Sequence, residues 1–378
     1  PCGHLLTPET AARLVESGVK AVSISLDAAI PEEHDAFPGV DGAFARSLQG
    51  LRHAREAGLG IQVNCTVTRL NVDQLPALLE LAEREGWGHR FLDEKALARK
   101  GAGAFLAVSQ GNASRDAGII KLSWRPGAKK APPALTLVGK GICFDTGGNN
   151  LKPFKGMLDM HEDMQGSAVA LGLLLTLTRL GYPEPVDCWL AVTENRIGPT
   201  AYKSRDVVTA SNGVSIEVIH TDAEGRMVLA DTLALAAAEK PGLIIDYATL
   251  TGACVSALTT RYSGVFTNRA EWHPRLKRAG RDSGERVWPF PIGKEFLADL
   301  KSDVADLMQC SVKGTGDHIL AGSFLAEFVE DDVPWIHMDL SAGNHKGGLG
   351  HVPSDVTGFG VRYTMSLVLD EKILEAAD

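Results

Sequence analysis

Two stretches of the chain collect side chains that could bind metal ions. The first stretch, VGKGICFDTGGNNLKPFKGMLDMHED at 138–163, follows an apolar run and carries Lys140, Asp145, Lys152 and Asp163. The second stretch, HTDAEGRMVLAD at 220–231, carries Asp222, Glu224 and Arg226 on alternate positions. Four carboxylates brought together would repel one another without a cation, and two divalent ions would make the same cluster favourable. We therefore predict an enzyme with a metal site.

The donor types narrow the choice of metal. Oxygen ligands with one nitrogen suit Zn²⁺, Mn²⁺ or Mg²⁺ and disfavour copper. The chain has no HExxH motif, and His161 and His220 are interpreted as groups that support the ligands or as packing residues. Lys140 is then the candidate nitrogen ligand, which requires burial and the ion to depress the pKa of its amine. Asp222 and Glu224 project to the same side only if this piece of chain is extended.

An α/β fold is predicted to position these residues. Apolar strands alternate with helices, and the polar motifs follow the strands. The predicted strands are 119–127, 135–141, 186–195, 242–253 and 334–343, and the predicted helices are 165–181, 224–240, 299–310 and 321–330. This order favours a central, mostly parallel sheet with helices on both faces and a site at the carboxyl ends of its strands.

The front of the chain predicts a small α/β segment that precedes the catalytic domain. A helix at 7–18, capped by Thr7, is followed by a strand at 20–27, a helix at 41–58, a strand at 60–68 and a helix at 72–86. We predict three parts, which are an N-terminal segment at 1–86, a connecting segment at 87–130 and a catalytic domain at 131–378.

Residues 23–68, SISLDAAIPEEHDAFPGVDGAFARSLQGLRHAREAGLGIQVNCTVT, resemble the middle of a radical SAM enzyme barrel. The CxxxCxxC loop that binds the iron–sulfur cluster in that family does not occur in this sequence. We therefore interpret the segment as a structural α/β module. A SAM-binding module is the alternative, and protection of the segment by added SAM would favour it.

Composition weighs against several classes of function. The net charge is −9, with 38 Lys plus Arg and 47 Asp plus Glu, which argues against nucleic acid as the main partner and against a membrane-surface role. No apolar run approaches the ~20 residues that span a bilayer, and the first residues lack the features of a secretory signal. Six scattered cysteines without a CxxC pair predict a reduced, cytoplasmic protein.

The motifs, taken together, resemble the leucyl aminopeptidase family of dinuclear metallopeptidases from about residue 92 to about residue 363. The segments that carry the resemblance are GKGICFDTGGNNLKP, DMHEDMQGSA, ENRIGPTAYKSRDVVTASNG, HTDAEGRMVLADTLA and DYATLTGA. The resemblance implies metal ligands at Lys140, Asp145, Asp163, Asp222 and Glu224. Asp145 and Glu224 would bridge two ions, Lys140 and Asp163 would complete one site, and Asp222 would complete the other.

The resemblance also implies a reaction and an assembly. Two ions ~3.5–4 Å apart would activate a water and polarise a peptide carbonyl, and one ion would bind the free α-amine of the substrate. Lys152 would bind substrate and stabilise the oxyanion, and Arg226 would hold a bicarbonate ion as the base. The expected substrates are peptides with a leucine-type N-terminal residue, and the expected assembly is a homohexamer.

Four further residues fall where the family lines its pocket for the N-terminal side chain. They are Met160, Thr249, Leu250 and Gly252. Their interpretation as ordinary core and turn residues stays open beside the functional one.

The sequence also departs from the family pattern. His220 stands where many relatives have Asn, Thr146 replaces a common Ser, and Gln165 occupies a position that is usually small. The front segment at 1–86 stands where this family normally carries a longer N-terminal α/β domain. None of the three substitutions removes a ligand, so we expect them to tune rate or specificity. The alternative function is a catalytically weak relative that acts as a scaffold or DNA-binding protein.

Overall fold

The computed structural model describes residues 6–19, 21–25, 35, 40–64, 88–127 and 132–376. The chain divides into two compact units, Pro1–Gly86 and Trp87–Asp378. The predicted helix at 72–86 and the end of the strand predicted at 60–68 lie outside the described residues. Within the described residues, no helix has both the length and the apolar character needed to cross a membrane.

The first unit contains two helices and two parallel strands among its described residues. These elements are α1 (Pro8–Glu16), β1 (Ala21–Ser25), α2 (Ala43–Glu56) and β2 (Gly60–Asn64). The side chain of Thr7 accepts a hydrogen bond from the backbone N–H of Thr10, which confirms the predicted N-cap. β1 pairs with β2 in parallel, with Ala21 opposite Gly60. A small core of Ala11, Ala54 and Leu59 holds these elements together.

The second unit is built on an eight-stranded mixed sheet in the order β11-β10-β13-β9-β5-β6-β4-β3. Its strands and those of a small three-stranded sheet are β3 (Gly88–Asp93), β4 (Gly118–Trp124), β5 (Leu135–Asp145), β6 (Val186–Asn195), β7 (Val207–Thr209), β8 (Ser215–Glu217), β9 (Ile244–Ala248), β10 (Ser263–Thr267), β11 (Val287–Pro289), β12 (Leu307–Met308) and β13 (Trp335–Asp339). The central strands β13, β9, β5 and β6 run parallel, whereas β3, β4 and β10 pair antiparallel. The residues predicted as a connecting segment thus contribute β3 and β4 to this sheet.

Helices cover both faces of the large sheet, which confirms the predicted α/β fold class. They are α3 (Glu94–Arg99), α4 (Gly103–Ser109), α5 (Phe154–Met157), α6 (Gln165–Arg179), α7 (Glu224–Ala237), α8 (Gly252–Leu258), α9 (His273–Ser283), α10 (Lys294–Leu297), α11 (Asp317–Ala326) and α12 (Val361–Leu369). Val138 of β5 belongs to the core cluster under α7, whereas its neighbour Leu137, which points to the opposite face, lies outside that cluster. α6 packs on β5, β6 and β9.

The helix predicted at 299–310 is wrong. A short 3₁₀ turn, Ala298–Leu300, is followed by irregular chain and by β12, which pairs in parallel with β8. The hydroxyl of Ser302 accepts hydrogen bonds from the backbone N–H groups of Val304 and Ala305, each at 3.1 Å. This local side-chain turn and the pairing with β8 satisfy backbone groups that a helix would have used.

Candidate metal centre

The end of β5 and the turn after it position Asp145 and Lys152. Asp145 is the last residue of β5, and its Oδ1 accepts hydrogen bonds from the backbone N–H of Gly147 and from Asn195 Nδ2, both at 2.8 Å. Gly147 has a φ of 86°, and an added Cβ there would lie 2.6 Å from the carbonyl oxygen of Asn150. Only glycine suits this position. The turn closes where the backbone N–H of Lys152 donates to the carbonyl of Thr146 at 2.9 Å.

Lys140 lies within β5, and its side chain extends into the cluster of carboxylates. Its Nζ is 2.7 Å from Asp163 Oδ1 and 2.9 Å from Glu224 Oε1, and it donates to the carbonyl of Thr249 at 2.9 Å. An added Cβ at Gly225 would lie 2.8 Å from Lys140 Nζ, so a side chain at 225 would block this approach. The lysine side chain is only 3% exposed.

Asp222 and Glu224 enter the cluster from the start of α7. Glu224 is the first residue of that helix, and Asp222 lies in the turn before it. The expectation that this piece must be extended is therefore wrong, because the turn and the helix start bring both side chains to one place. Carboxylate oxygens of Asp145, Asp222 and Glu224 all lie within 4.8 Å of one another, an arrangement that could hold a metal ion.

The cluster contains more negative than positive side chains. Lys152 Nζ lies 2.9 Å from Asp145 Oδ2 and 2.5 Å from Asp222 Oδ1, so two ammonium groups face four carboxylates. Two buried carboxylate oxygens, Asp163 Oδ2 and Glu224 Oε2, have no hydrogen-bond partner. Buried anionic oxygens without donors are costly, and divalent ions with hard oxygen ligands would supply the missing charge. The donor set therefore fits divalent metal ions.

Burial and repulsion shift the pKa values of the buried carboxyl groups. Burial, followed by the charge of Asp145, raises the pKa of Glu224 to about 8. Burial raises the pKa of Asp163 to about 6, against the opposing effect of Lys140. Burial alone would lower the pKa of Lys140, but the charges of Asp163, Glu224 and Asp145 outweigh it and raise that pKa. Without a metal ion, Lys140 is thus an ammonium group paired with carboxylates, not the neutral amine that ligation requires.

A hydrogen-bonded network that the sequence did not assign joins the two ligand loops. Asn195, at the end of β6, donates from Nδ2 to Asp145 Oδ1 at 2.8 Å and to the carbonyl of Thr221 at 2.9 Å. Thr221 Oγ1 donates to the carbonyl of Gly147 at 2.6 Å, and Tyr202 donates its hydroxyl to the carbonyl of Thr221 at 2.8 Å. The ENRIGPTAY motif contains Asn195 and Tyr202. The sequence signal that could have identified Asn195 is an asparagine at the end of a predicted core strand.

Arg226 is buried beside the cluster and is paired with Asp317. Arg226 Nη1 donates to Asp317 Oδ1 at 3.1 Å and to the carbonyl of Gln309 at 3.2 Å, and Nη2 donates to Asp317 Oδ2 at 2.7 Å. Burial would lower the pKa of Arg226, but Asp317 raises it. Groups of the chain itself thus use both N–H groups of Nη1 and one of Nη2, whereas Nε is buried and has no hydrogen-bond partner. A bicarbonate ion at Arg226 stays a prediction from the family resemblance.

Of the four predicted pocket residues, Thr249 and Leu250 lie against the cluster of carboxylates. Thr249 donates its hydroxyl to Asp163 Oδ1 at 2.7 Å, and Leu250 Cδ1 would lie 2.9 Å from a Cβ added at Gly225. Gly252, the first residue of α8, is exposed, with no atom within 4 Å of an added Cβ. Met160 is half-buried in the 3₁₀ turn Met160–Glu162 before Asp163.

The two histidines near the motifs differ in position. His220 Nδ1 accepts a hydrogen bond from the backbone N–H of Asp222 at 3.2 Å, so it supports the turn that carries a candidate ligand. The side chain of His161 is exposed.

The other two departures from the family pattern are buried. Thr146 donates its hydroxyl to the carbonyl of Asn195 at 2.8 Å. Gln165 Oε1 would lie 2.4 Å from a Cβ added at Gly343. Both side chains therefore pack within the fold that surrounds the cluster.

Comparisons with known proteins agree on one family. The family model described as the cytosol aminopeptidase family, catalytic domain, matches residues 63–365. A probable cytosol aminopeptidase of Corynebacterium diphtheriae is 40% identical over 303 residues, which cover 79% of this chain and 60% of the relative. The corresponding protein of Nitrobacter winogradskyi is 42% identical over 291 residues, which cover 75% of this chain and 57% of the relative.

A third relative aligns with nearly the whole chain. The probable cytosol aminopeptidase of Rhodopseudomonas palustris is 36% identical over 386 residues, which cover 97% of this chain and 76% of the relative. The first relatives named are longer, however, and the chain spans about 57–60% of their length.

Proposed function

This chain belongs to the cytosol aminopeptidase family, and we propose that it is a metal-dependent aminopeptidase that hydrolyses the N-terminal peptide bond of peptides. The observation that carries the proposal is the convergence of Asp145, Asp222 and Glu224, whose oxygens lie within 4.8 Å of one another beside two lysines. An excess of buried carboxylate is unfavourable unless a cation completes it.

Five residues would hold two divalent ions, Zn²⁺ or Mn²⁺. They are Lys140, Asp145, Asp163, Asp222 and Glu224. When bound, such ions lower the pKa of a water and polarise a carbonyl oxygen. The chain's own contribution is to hold the carboxylates in place, through the hydrogen bonds that Asn195 and Gly147 donate to Asp145.

Lys140 and Lys152 differ in exposure, and this difference suggests a different role for each in the reaction. The Lys140 side chain is 3% exposed, which suits a group that faces only the cluster. The Lys152 side chain is 15% exposed and remains charged, because Asp145 and its hydrogen bond to Asp222 raise its pKa against the effect of burial. We assign Lys152 to bind the substrate and to donate hydrogen bonds to the oxyanion that develops on the attacked carbonyl.

The preference for a leucine-type N-terminal residue rests on the family resemblance, which places Met160, Thr249, Leu250 and Gly252 in the pocket. Leu250 is half-buried, and Gly252 is exposed with no atom within 4 Å of an added Cβ. Met160 and Thr249 complete the proposed pocket.

Other features of the proposal concern location and assembly. Cys143, Cys188, Cys254 and Cys310 are free thiols, in keeping with a reducing cytoplasm. The homohexamer stays a prediction from the family resemblance. The bicarbonate base also stays a prediction from that resemblance, and no step of the proposed reaction uses it.

Hydrolysis of a leucine anilide tests this function. The protein is stripped with a chelator, and turnover and metal content are measured before and after addition of Mn²⁺ or Zn²⁺. Two variants separate the roles. Asp222→Ala is expected to lose both metal and turnover, whereas Lys152→Met is expected to keep the metal and lose ~10²–10³-fold in turnover. Bound metal without any turnover in the unsubstituted protein would refute the aminopeptidase and favour a scaffold or DNA-binding role.

A further inference from the structure

The short segment that carries Asp222 depends on other parts of the chain for its backbone hydrogen bonds. It covers residues 219–223, between the end of β8 and the start of α7, and all five residues are described as neither helix nor strand. Backbone N–H and C=O groups in such a segment need partners outside a regular ladder. The position of the Asp222 carboxylate therefore depends on the side chains that hold this piece of backbone.

Gln309 holds the segment on both sides of Asp222. Its Oε1 accepts hydrogen bonds from the backbone N–H groups of Ile219 and His220, both at 3.1 Å, and its Nε2 donates to the carbonyl of Ala223 at 3.0 Å. Gln309 is 0% exposed. Only one orientation of the amide matches two donors and one acceptor, so these contacts fix the side chain as well as the backbone that it holds.

The small sheet places Gln309 beside this segment. Gln309 directly follows β12, which pairs in parallel with β8, and its backbone N–H donates to the carbonyl of Glu217, the last residue of β8, at 2.8 Å. The backbone carbonyl of Gln309 accepts from Arg226 Nη1 at 3.2 Å. Gln309 thus connects the strand before Asp222, the segment that carries Asp222 and the helix that follows it.

The lysine that contacts Asp222 cannot take over this task during the proposed reaction. Lys152 Nζ lies 2.5 Å from Asp222 Oδ1, and the Asp222 side chain is 27% exposed. The role assigned to Lys152 requires its ammonium group to donate to the substrate. The backbone on each side of Asp222 must then hold the carboxylate among the other negatively charged ligands.

We propose that Gln309 is a positioning residue for the metal ion that Asp222 completes. Its amide keeps Asp222 where the carboxylate oxygens of Asp222, Asp145 and Glu224 lie within 4.8 Å of one another. This inference rests on the proposed function, because it concerns one of the two ions that the centre is proposed to bind.

The residues that complete the other ion are held by different parts of the chain. Lys140 belongs to β5, and Asp163 Oδ1 accepts from Thr249 Oγ1 at 2.7 Å. Loss of the Gln309 amide therefore weakens binding of one ion, whereas a general loss of stability weakens binding of both. This difference separates a positioning role from a purely structural one.

Competition with a chelator measures the two ions. The metal-stripped protein is titrated with Zn²⁺ in the presence of a chelator of known affinity, and two dissociation constants are fitted. In Gln309→Met, which keeps a long side chain but removes the amide, the affinity for one ion is expected to fall about 10–100-fold and the other affinity to stay unchanged. Asp222→Ala identifies the ion, since Gln309→Met added to Asp222→Ala is expected to cause no further loss of affinity.

Asn268→Leu controls for the loss of a buried amide contact elsewhere. Asn268 Oδ1 accepts from the backbone N–H of Trp335 and Nδ2 donates to the carbonyl of Val333, both at 2.9 Å. Trp335 begins β13, so this contact lies at the opposite edge of the sheet from the carboxyl ends where the metal centre lies. The variant is expected to have a lower Tm and to keep both metal affinities.

Hydrogen exchange tests the contact in the unsubstituted protein. The backbone N–H groups of Ile219 and His220 are expected to exchange slowly in the metal-free protein, although His220 is exposed, and to lose this protection in Gln309→Met. Rapid exchange of both groups in the unsubstituted protein would overturn the proposal, and this result needs no folded variant.

The binding data also distinguish failure of this proposal from failure of the proposed function. A protein that binds no metal refutes both. Two bound ions whose affinities fall equally, or do not fall, in a folded Gln309→Met protein refute the positioning role alone. The affinities are measured without substrate, so a protein that binds two ions but lacks peptidase activity still decides the role of Gln309.

Discussion

Two buried polar clusters on the same sheet differ in how completely their charges are matched. In one, Asp246 of β9 accepts from Trp335 Nε1 at 2.7 Å and shares a 2.6 Å hydrogen bond with His337 Nδ1, so both of its oxygens are used. In the candidate metal centre, four carboxylates meet two ammonium groups, and the outer oxygens of Asp163 and Glu224 have no donor.

The difference shows that burial of charge does not by itself mark a functional site. Asp246, Trp335 and His337 are each at most 1% exposed, more buried than Asp222 or Lys152. What distinguishes the metal centre is a deficit of positive charge together with partial access from solvent. We call the Asp246 cluster complete because its charges are matched, although His337 Nε2 is buried without a hydrogen-bond partner. A cluster with matched charges specifies the fold, whereas one with unmatched charge leaves room for a ligand.

The largest expected effect follows from removal of one charge at the incomplete cluster. Glu224→Gln should lose metal and about 10³-fold or more in turnover, because it neutralises a proposed bridging ligand. Its metal-free form should have about the same Tm as the unsubstituted protein near neutral pH, since the pKa of Glu224 is raised to about 8 and the carboxyl is already largely protonated there. Metal analysis, anilide hydrolysis and thermal unfolding measure the three quantities, with the exposed Glu330→Gln as the control. A metal-free Tm that falls sharply would mean that the cluster is already balanced.

The same type of substitution at the complete cluster should have the opposite signature. Asp246→Asn removes the charged partner of a fully buried pair and should lower the free energy of unfolding by about 3–5 kcal/mol. Denaturant unfolding should give the same loss with and without chelator, because no metal binds there. Asp299→Asn, at an exposed ion pair, is the matched control. A loss that appears only in the presence of metal would abolish the distinction between the clusters.

A smaller effect is expected from removal of a side chain that donates a hydrogen bond to a carboxylate of the metal centre. Asn195→Ala removes the amide that holds Asp145 and the carbonyl of Thr221, and should weaken metal affinity about 10–100-fold. Competition with a chelator measures the affinity, and the exposed Asn212→Ala controls for loss of an asparagine. Unchanged affinity would mean that Gly147 and Lys152 suffice to hold Asp145.

The smallest effect concerns pH at the complete cluster. Burial would lower the pKa of His337, but Asp246 raises it above the ordinary value near 6.5. A raised folded-state pKa contributes stability that is fully present below the unfolded value and is lost as pH rises through the folded value. The difference in unfolding free energy between the unsubstituted protein and His337→Gln should therefore shrink with rising pH. If this difference in unfolding free energy does not change with pH, the Asp246–His337 pair is not ionised.

The sequence predicted much of what short segments determine. Thr7 capped its helix as expected, the strand at 186–195 was found with the same bounds, and the two ligand motifs meet at the ends of neighbouring elements. These features depend on local periodicity or on a motif whose residues lie close together. The α/β class followed from the alternation of such segments.

The contacts that cross the chain could not be predicted. Asp317 meets Arg226 over a separation of 91 residues, and Gln309 reaches the ligand loop from a segment predicted as helix. Periodicity at 299–310 favoured a helix, but tertiary pairing with β8 decided the outcome. The pairing of Lys140 with carboxylates was also missed, because its charge state depends on every neighbour at once.

The placement of Lys140 and Lys152 has a consequence for how the protein is made. Each ammonium group lies between two carboxylates of the centre, so half of the negative charge is matched before any ion arrives. We expect a newly synthesised chain to complete its fold in the apo form and to acquire its ions afterwards. The ion that it carries would then reflect the supply in its surroundings at the time of loading.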